Sequence, residues 1–276
     1  MQSEFRLSLA HATLLSLAPA DLIRVAHAAG FSAVGLRLIP IGLPGERPFA
    51  IEHDPAGARA IRDALDETGV RLLDVELIRI TDSTNPQSYG PALKAAAALG
   101  AQFALANVYT ADNGRASATL AQLCELAAPL AITLLLEPVS FSDVRTSRHA
   151  AEIVRACGRP NAGLLIDTLH QHSSGESPAV LEELTVPVPL VHINDAPAKV
   201  PVDVEARRRI AREERLLPGE GGIDLAAMLP HLPRDVVYAV EAHNPARAAA
   251  LGPAAYARLA FEKTSRCLRT VFGRSS

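Results

Sequence analysis

Eight short runs of apolar, β-favouring residues recur along the chain, and a longer stretch rich in Ala, Leu, Arg and Glu follows each. They are FRLSLA at 5–10, AVGLRL at 33–38, RLLDVELIRI at 71–80, FALANVY at 103–109, TLLLEPV at 133–139, AGLLIDTL at 162–169, LVHIND at 190–195 and VVYAVEA at 236–242. Runs that are apolar on both faces belong to parallel strands covered by helices. The intervening stretches carry helix punctuation: PADLIRVAHAAG opens on Pro and closes on Gly, and DPAGARAIRDALDETG and PALKAAAALG also end on a capping Gly. Strand then helix, eight times, predicts an α/β chain, a single closed (β/α)8 TIM barrel spanning 1–276. The alternative, an open doubly wound sheet, lacks its usual dinucleotide or Walker glycine motif after the first strand.

The 49% hydrophobic content is enough for one large core. A formal charge of −3 supplies no basic face for nucleic acid or an anionic membrane, so a small-molecule partner fits better. Cys124, Cys157 and Cys267 form no CxxC pair, which argues against a disulfide framework or a zinc ribbon and favours free thiols in a reducing cytoplasm. RLSLAHATLLSLAPA imitates a signal peptide, but His11 and its scattered Ser and Thr weaken the likeness. No run approaches the roughly 18 apolar residues of a membrane span. The charged piece at about 197–222 predicts an extended loop between the seventh strand and the next helix, either a solvated helical excursion or part of the catalytic face. Within it, LPGEGGIDL at 217–225 reads as a loop and cap signal.

Barrel enzymes carry their chemistry at the carboxyl ends of the strands. There, after apolar runs, stand Glu137, Asp167, His192 and Glu241. Each alone has an ordinary explanation, such as a strand-end ion pair. One cation would account for all four, since three carboxylates and one imidazole make an oxygen-rich donor set suited to Mn²⁺, Mg²⁺ or Co²⁺.

These motifs, with AGFSAVGLRL, VHINDAP, LLPGEGGIDL and YAVEAHNP, resemble the xylose-isomerase-like barrel family of sugar isomerases and epimerases. Ketose 3-epimerases, inosose dehydratases and dehydroshikimate dehydratases are among its relatives. The resemblance covers nearly the whole chain. It implies one divalent ion, Mn²⁺ first, held by Glu137, Asp167, His192 and Glu241, and His170 binding a substrate oxygen. Asp143 occupies the place of a substrate-touching carboxylate as a shorter acid. Ala198 stands where epimerases carry an arginine, and Arg215 supplies a cation instead. His192 in place of glutamine tilts the reading away from the dehydratase branch.

The implied chemistry is isomerisation or epimerisation of a sugar, keto-sugar or polyol through an enediolate, with Glu137 and Glu241 moving the proton on opposite sides of the substrate carbon. The alternatives are a lyase dehydrating a cyclic keto-polyol, or a non-catalytic sugar-binding barrel or subunit. Glu76 either reaches the site or pairs with Arg79 or Arg37, and His11 is a substrate-contact candidate. Asp195 orients Arg215 or a metal ligand; His172 and His243 receive no role. By analogy with relatives the chain is a homodimer or homotetramer.

Overall fold

Every apolar run forms a strand in the computed structural model, which describes residues 5–42 and 47–273; the remainder of 1–276 lies outside the described residues. The strands are β1 (Leu7–Ala10), β2 (Ala33–Arg37), β3 (Arg71–Thr81), β4 (Phe103–Tyr109), β5 (Thr133–Leu136), β6 (Ala162–Asp167), β7 (Leu190–Ile193) and β8 (Val237–Val240). They pair in parallel in chain order, and β8 returns to β1 through Leu7↔Tyr238, Ser8↔Ala239 and Leu9↔Val240. The sheet is therefore a closed (β/α)8 TIM barrel and has no edge.

The last four strands each stop two or three residues before the carboxyl ends of their apolar runs. β5 stops at Leu136, β6 at Asp167, β7 at Ile193 and β8 at Val240. At this rim the backbone leaves the ladder and the next residues turn over the mouth, which is why Glu137 and Glu241 lie just past their strands.

Two apolar layers hold the barrel. Leu73, Leu105, Leu135, Leu165, Leu190 and Ala239 fill its interior, and a larger cluster joins its outer face to the helices. Leu135 is fully buried, and truncating such a side chain to Ala costs roughly 2–5 kcal/mol.

The helices are α1 (Pro19–Ala29), α2 (Pro55–Thr68), α3 (Gly90–Ala98), α4 (Asn113–Ala127), α5 (Ser147–Cys157), α6 (Thr168–Ser174), α7 (Val204–Glu213), α8 (Leu225–Met228), α9 (Pro245–Leu251) and α10 (Pro253–Phe272). α1 starts on its proline, buries Leu22, Ile23 and Ala26, and ends where Gly30 takes φ 102°, a left-handed conformation that costs glycine little. The loop expected at 197–222 contains α7, whose sequence VEARRRIARE buries only Ala211. Ala211, Arg212 and Glu213 of this helix line the cavity at the barrel mouth.

The sequence resembling a signal peptide supplies β1 and the buried turn His11–Leu14. Cys124, Cys157 and Cys267 are free thiols. Among the described residues no helix is long and apolar enough to cross a membrane.

Candidate metal centre

Glu137, Asp167, His192 and Glu241 converge at the carboxyl rim, and one ligand atom from each lies within 4.8 Å of the others. Parallel closure makes this happen. Consecutive strands β5 to β8 bring their last inward-facing positions onto one arc, and Asp167 pairs in register with His192.

Each carboxylate is held by neighbours. Asp167 ends β6 and caps α6, where its Oδ1 accepts the backbone N–H groups of Leu169 at 2.8 Å and His170 at 3.0 Å. Its Oδ2 accepts Asn194 Nδ2–H at 3.0 Å and Arg215 Nη1–H at 2.5 Å. Glu137 Oε2 accepts Asn107 Nδ2–H at 2.8 Å from β4. Arg215 Nη1 also lies 2.7 Å from Glu241 Oε2, and the Arg215 Nε–H donates to Ala211 O at 2.7 Å, tying the site to α7.

His192 is the exception. Its Nδ1 lies 3.3 Å from Glu241 Oε2 and 3.8 Å from Glu137 Oε1, yet neither buried ring nitrogen makes a hydrogen bond. A buried imidazole with both nitrogens unsatisfied is costly unless something else coordinates it. Three carboxylates around that nitrogen are the donor set a divalent cation takes, so the residues fit a metal.

The charges are strongly coupled. Burial opposes protonation of His192, but the Glu241 and Glu137 carboxylates outweigh it and hold the imidazole well above its ordinary range. Burial likewise opposes ionisation of Glu241, and Arg215 and His192 overcome it, keeping that carboxyl well below the usual range. Burial lowers His170, which is therefore neutral near pH 7.

Glu137, His192 and Glu241 line a cavity of about 600 Å³. Of the residues expected to meet substrate, His170, Arg215 and Glu76 line it. His170 sits edge-on to Phe141, with Nδ1 3.1 Å from Ser140 Oγ. Glu76 lines the cavity and pairs with Arg37 at 2.7 Å.

Two others lie outside the cavity lining. Asp143 is exposed on the loop beyond β5 and is not among the residues that line the cavity. His11 is fully buried, with Arg37 N–H donating to its Nδ1 at 3.0 Å and its Nε2 3.1 Å from Leu17 O. Both ring nitrogens are thus committed to the backbone. His172 lies 3.2 Å from Ala198 O, away from the metal cluster, whereas His243 lines the cavity.

Asp195 does something different from orienting Arg215. Its carboxylate accepts the backbone N–H groups of Ala196, Gly219, Gly221 and Ile223, at 2.8–3.0 Å, and so folds the LPGEGG turn. A Cβ on Gly221 would sit 2.3 Å from Ala196 O, which explains why the turn is glycine-rich. Arg215 follows indirectly, because Asp195 and Leu216 form a two-way backbone bridge.

Sequence reasoning missed Asn107, Asn194 and Asp74. Asn107 is a lone amide in the run FALANVY, an available signal, whereas Asn194 stands between the more conspicuous His192 and Asp195. Asp74, in LLDVEL, looked like one of several charges; in the barrel it is buried without a partner for either oxygen. That burial pushes its carboxyl up to about 7.

The fold and site define a TIM barrel with a mixed carboxylate and histidine metal-type cluster at its catalytic face. A family model for the xylose isomerase-like TIM barrel matches residues 23–259, and the chain belongs to that family. Curated relatives include an inosose isomerase of Halalkalibacterium halodurans, 34% identical over 113 residues, or 40% of this chain and 38% of that protein. An inosose isomerase of Bacillus velezensis is 33% identical over 116 residues, covering 41% of this chain and 39% of the relative. These matches therefore span only about two-fifths of each relative's length. Among solved structures, the IOLI protein with a binding zinc atom superposes with a TM-score of 0.80 at 19% identity, covering 97% of this chain and 99% of that one. A D-allulose 3-epimerase from Methylomonas sp. gives 0.69 at 17% identity, covering 96% and 97%. At such identities the superpositions establish shared fold alone.

Proposed function

We propose that the protein is a divalent-metal-dependent isomerase or epimerase acting on a sugar, keto-sugar or related polyol. The observation that carries this reading is the convergence of Glu137, Asp167, His192 and Glu241, with both His192 nitrogens buried and unsatisfied. These four residues would hold the ion, with Mn²⁺ preferred for the oxygen-rich donor set. When bound, the ion supplies Lewis acidity that stabilises negative charge developing on substrate oxygens.

The chain's own groups do the rest. Glu137 and Glu241 reach the mouth from separated strands and flank the substrate carbon, so that one carboxylate removes its proton and the other returns one, through an enediolate. Asn107 fixes the first of these and Arg215 the second. Neutral His170 offers a ring nitrogen to a substrate hydroxyl. The apolar floor of Leu105 and Leu77 and the ring of Phe141 limit water around the reacting carbon.

Incubation of Mn²⁺-loaded protein with keto-sugars and cyclic keto-polyols in D₂O tests this by NMR. Deuterium appearing on a substrate carbon, and its loss in Glu241→Gln, is the expected result. An ultraviolet-absorbing enone without carbon-bound deuterium would instead identify a dehydrating lyase. Full turnover in Glu241→Gln would overturn the mechanism.

A further inference from the structure

Two arginines of the cavity wall have no carboxylate partner among the described residues. Arg37 is matched by Glu76, and Arg215 by Asp167 and Glu241. Arg79, at the end of β3, has no carboxylate partner among the described residues and lies with its guanidinium carbon 4.5 Å from the centroid of the Tyr109 ring. Arg212, on α7, lies 5.7 Å from the Phe141 ring centroid, also without a carboxylate. Both arginines and both rings line the cavity that Glu137, His192 and Glu241 also line. Arg47, 5.1 Å from the Phe49 ring centroid, lines it too. Glu137 and Glu213 also line the wall, and among the described residues neither forms an ion pair with these three cations.

An aromatic face supports a guanidinium without using its N–H donors. Those donors lie in the plane of the group and suit the paired oxygens of a carboxylate or phosphate. A metal at the four-residue cluster would add two further positive charges and leave the wall arginines still uncompensated. A neutral sugar offers nothing to match them. The arrangement differs from a solvated charge run, because the two cations come from different elements, β3 and α7, onto one concave surface.

We propose that the substrate is anionic, a keto-sugar or keto-polyol bearing a carboxylate or phosphate that Arg79 and Arg212 receive while its hydroxyl and carbonyl end faces the metal cluster. The proposal rests on the reading of the cluster as the reacting site, and adds the chemical class of what enters it. α7 then has a function: the loop excursion brings Arg212 to the substrate and, through Ala211, steadies Arg215.

Calorimetric titration of Mn²⁺-loaded protein with D-fructose, D-fructose 6-phosphate and D-fructuronate compares a neutral ketose with its phosphorylated and carboxylated counterparts. We expect at least one anion to bind about tenfold or more tightly than fructose, as charge-assisted hydrogen bonds imply. That preference should shrink as salt rises. In the Arg79→Ala, Arg212→Ala double variant it should vanish while Mn²⁺ uptake and the melting temperature are retained. Which anion wins separates carboxylate from phosphate. Equal binding of all three ligands by the wild-type protein, or an anion preference undiminished in the double variant, overturns the proposal. Deuterium incorporation is a separate readout: anion preference without proton exchange would leave this inference standing and remove the isomerase reading, and exchange with neutral ketoses alone would do the reverse.

Discussion

His192 shows how far one side chain depends on its neighbours. Without a metal, the Glu241 and Glu137 carboxylates keep the imidazole protonated above its ordinary range. A metal requires the neutral ring, so binding must expel that proton. Titration of Mn²⁺ in two buffers of different ionisation enthalpy should show about one proton released near pH 7, with affinity falling as the pH is lowered. Absence of proton release would remove His192 from the ligand set. The same raised value means that the ion pairing of His192 stabilises the metal-free protein fully below the unfolded imidazole's range, and that this contribution fades as pH rises through the folded value. Asp74 has a raised value for the opposite reason: burial without a partner disfavours its charged form. The unfolded carboxyl ionises near 4 and the folded one near 7, so metal-free stability falls with rising pH across that interval. Asp74→Asn lacks this penalty. Its stability relative to wild type in urea melts should therefore improve from pH 5 to pH 8, towards a limit on the order of 4 kcal/mol. An unchanged difference would show that the ionisation is irrelevant.

The segment from β7 to α8 is the element where loop chemistry and site chemistry meet. Asp195 gathers four backbone N–H groups, and Gly221 lets the turn pass against Ala196 O. Asp195→Ala would leave those donors partly unpaired, at a cost of roughly 2–4 kcal/mol from the lost charge-assisted bonds. Because Leu216 is bridged to Asp195, the variant should also displace Arg215 and lower kcat more than it changes Mn²⁺ affinity. Thermal melts and steady-state kinetics on the same preparation check both effects. A loop and a cap were legible in LPGEGGIDL. The partner that organises them was not, because Asp195 is 24 residues from Gly219, and only the strand-to-loop geometry joins them.

At the scale of the whole molecule, the ion would act as a bolt across four consecutive strands. Ligand that binds only the native state stabilises it by mass action, about 2.7 kcal/mol at a hundredfold excess over Kd. Treatment with EDTA should lower the melting temperature, Mn²⁺ should restore it, and Glu241→Gln should shrink the restored increment. A melting temperature indifferent to both reagents would mean that the cluster does not hold a metal.

The sequence by itself determined the barrel, because eight two-faced apolar runs separated by capped helices leave few other ways to bury so much apolar surface. It also determined the four-residue cluster, since each member ends an apolar run and in-order parallel closure aligns those ends. Tertiary structure decided which nearby polar groups face the mouth. His11 and Asp143 have suitable chemistry and nearby positions, yet backbone hydrogen bonding keeps one ring in the wall and a loop turn leaves the other acid exposed. Arg79 and Arg212, 133 residues apart in the numbering, become neighbours of one cavity because β3 and α7 both border it. Strand order follows from local pattern, whereas the direction of a loop side chain depends on contacts distant in the chain.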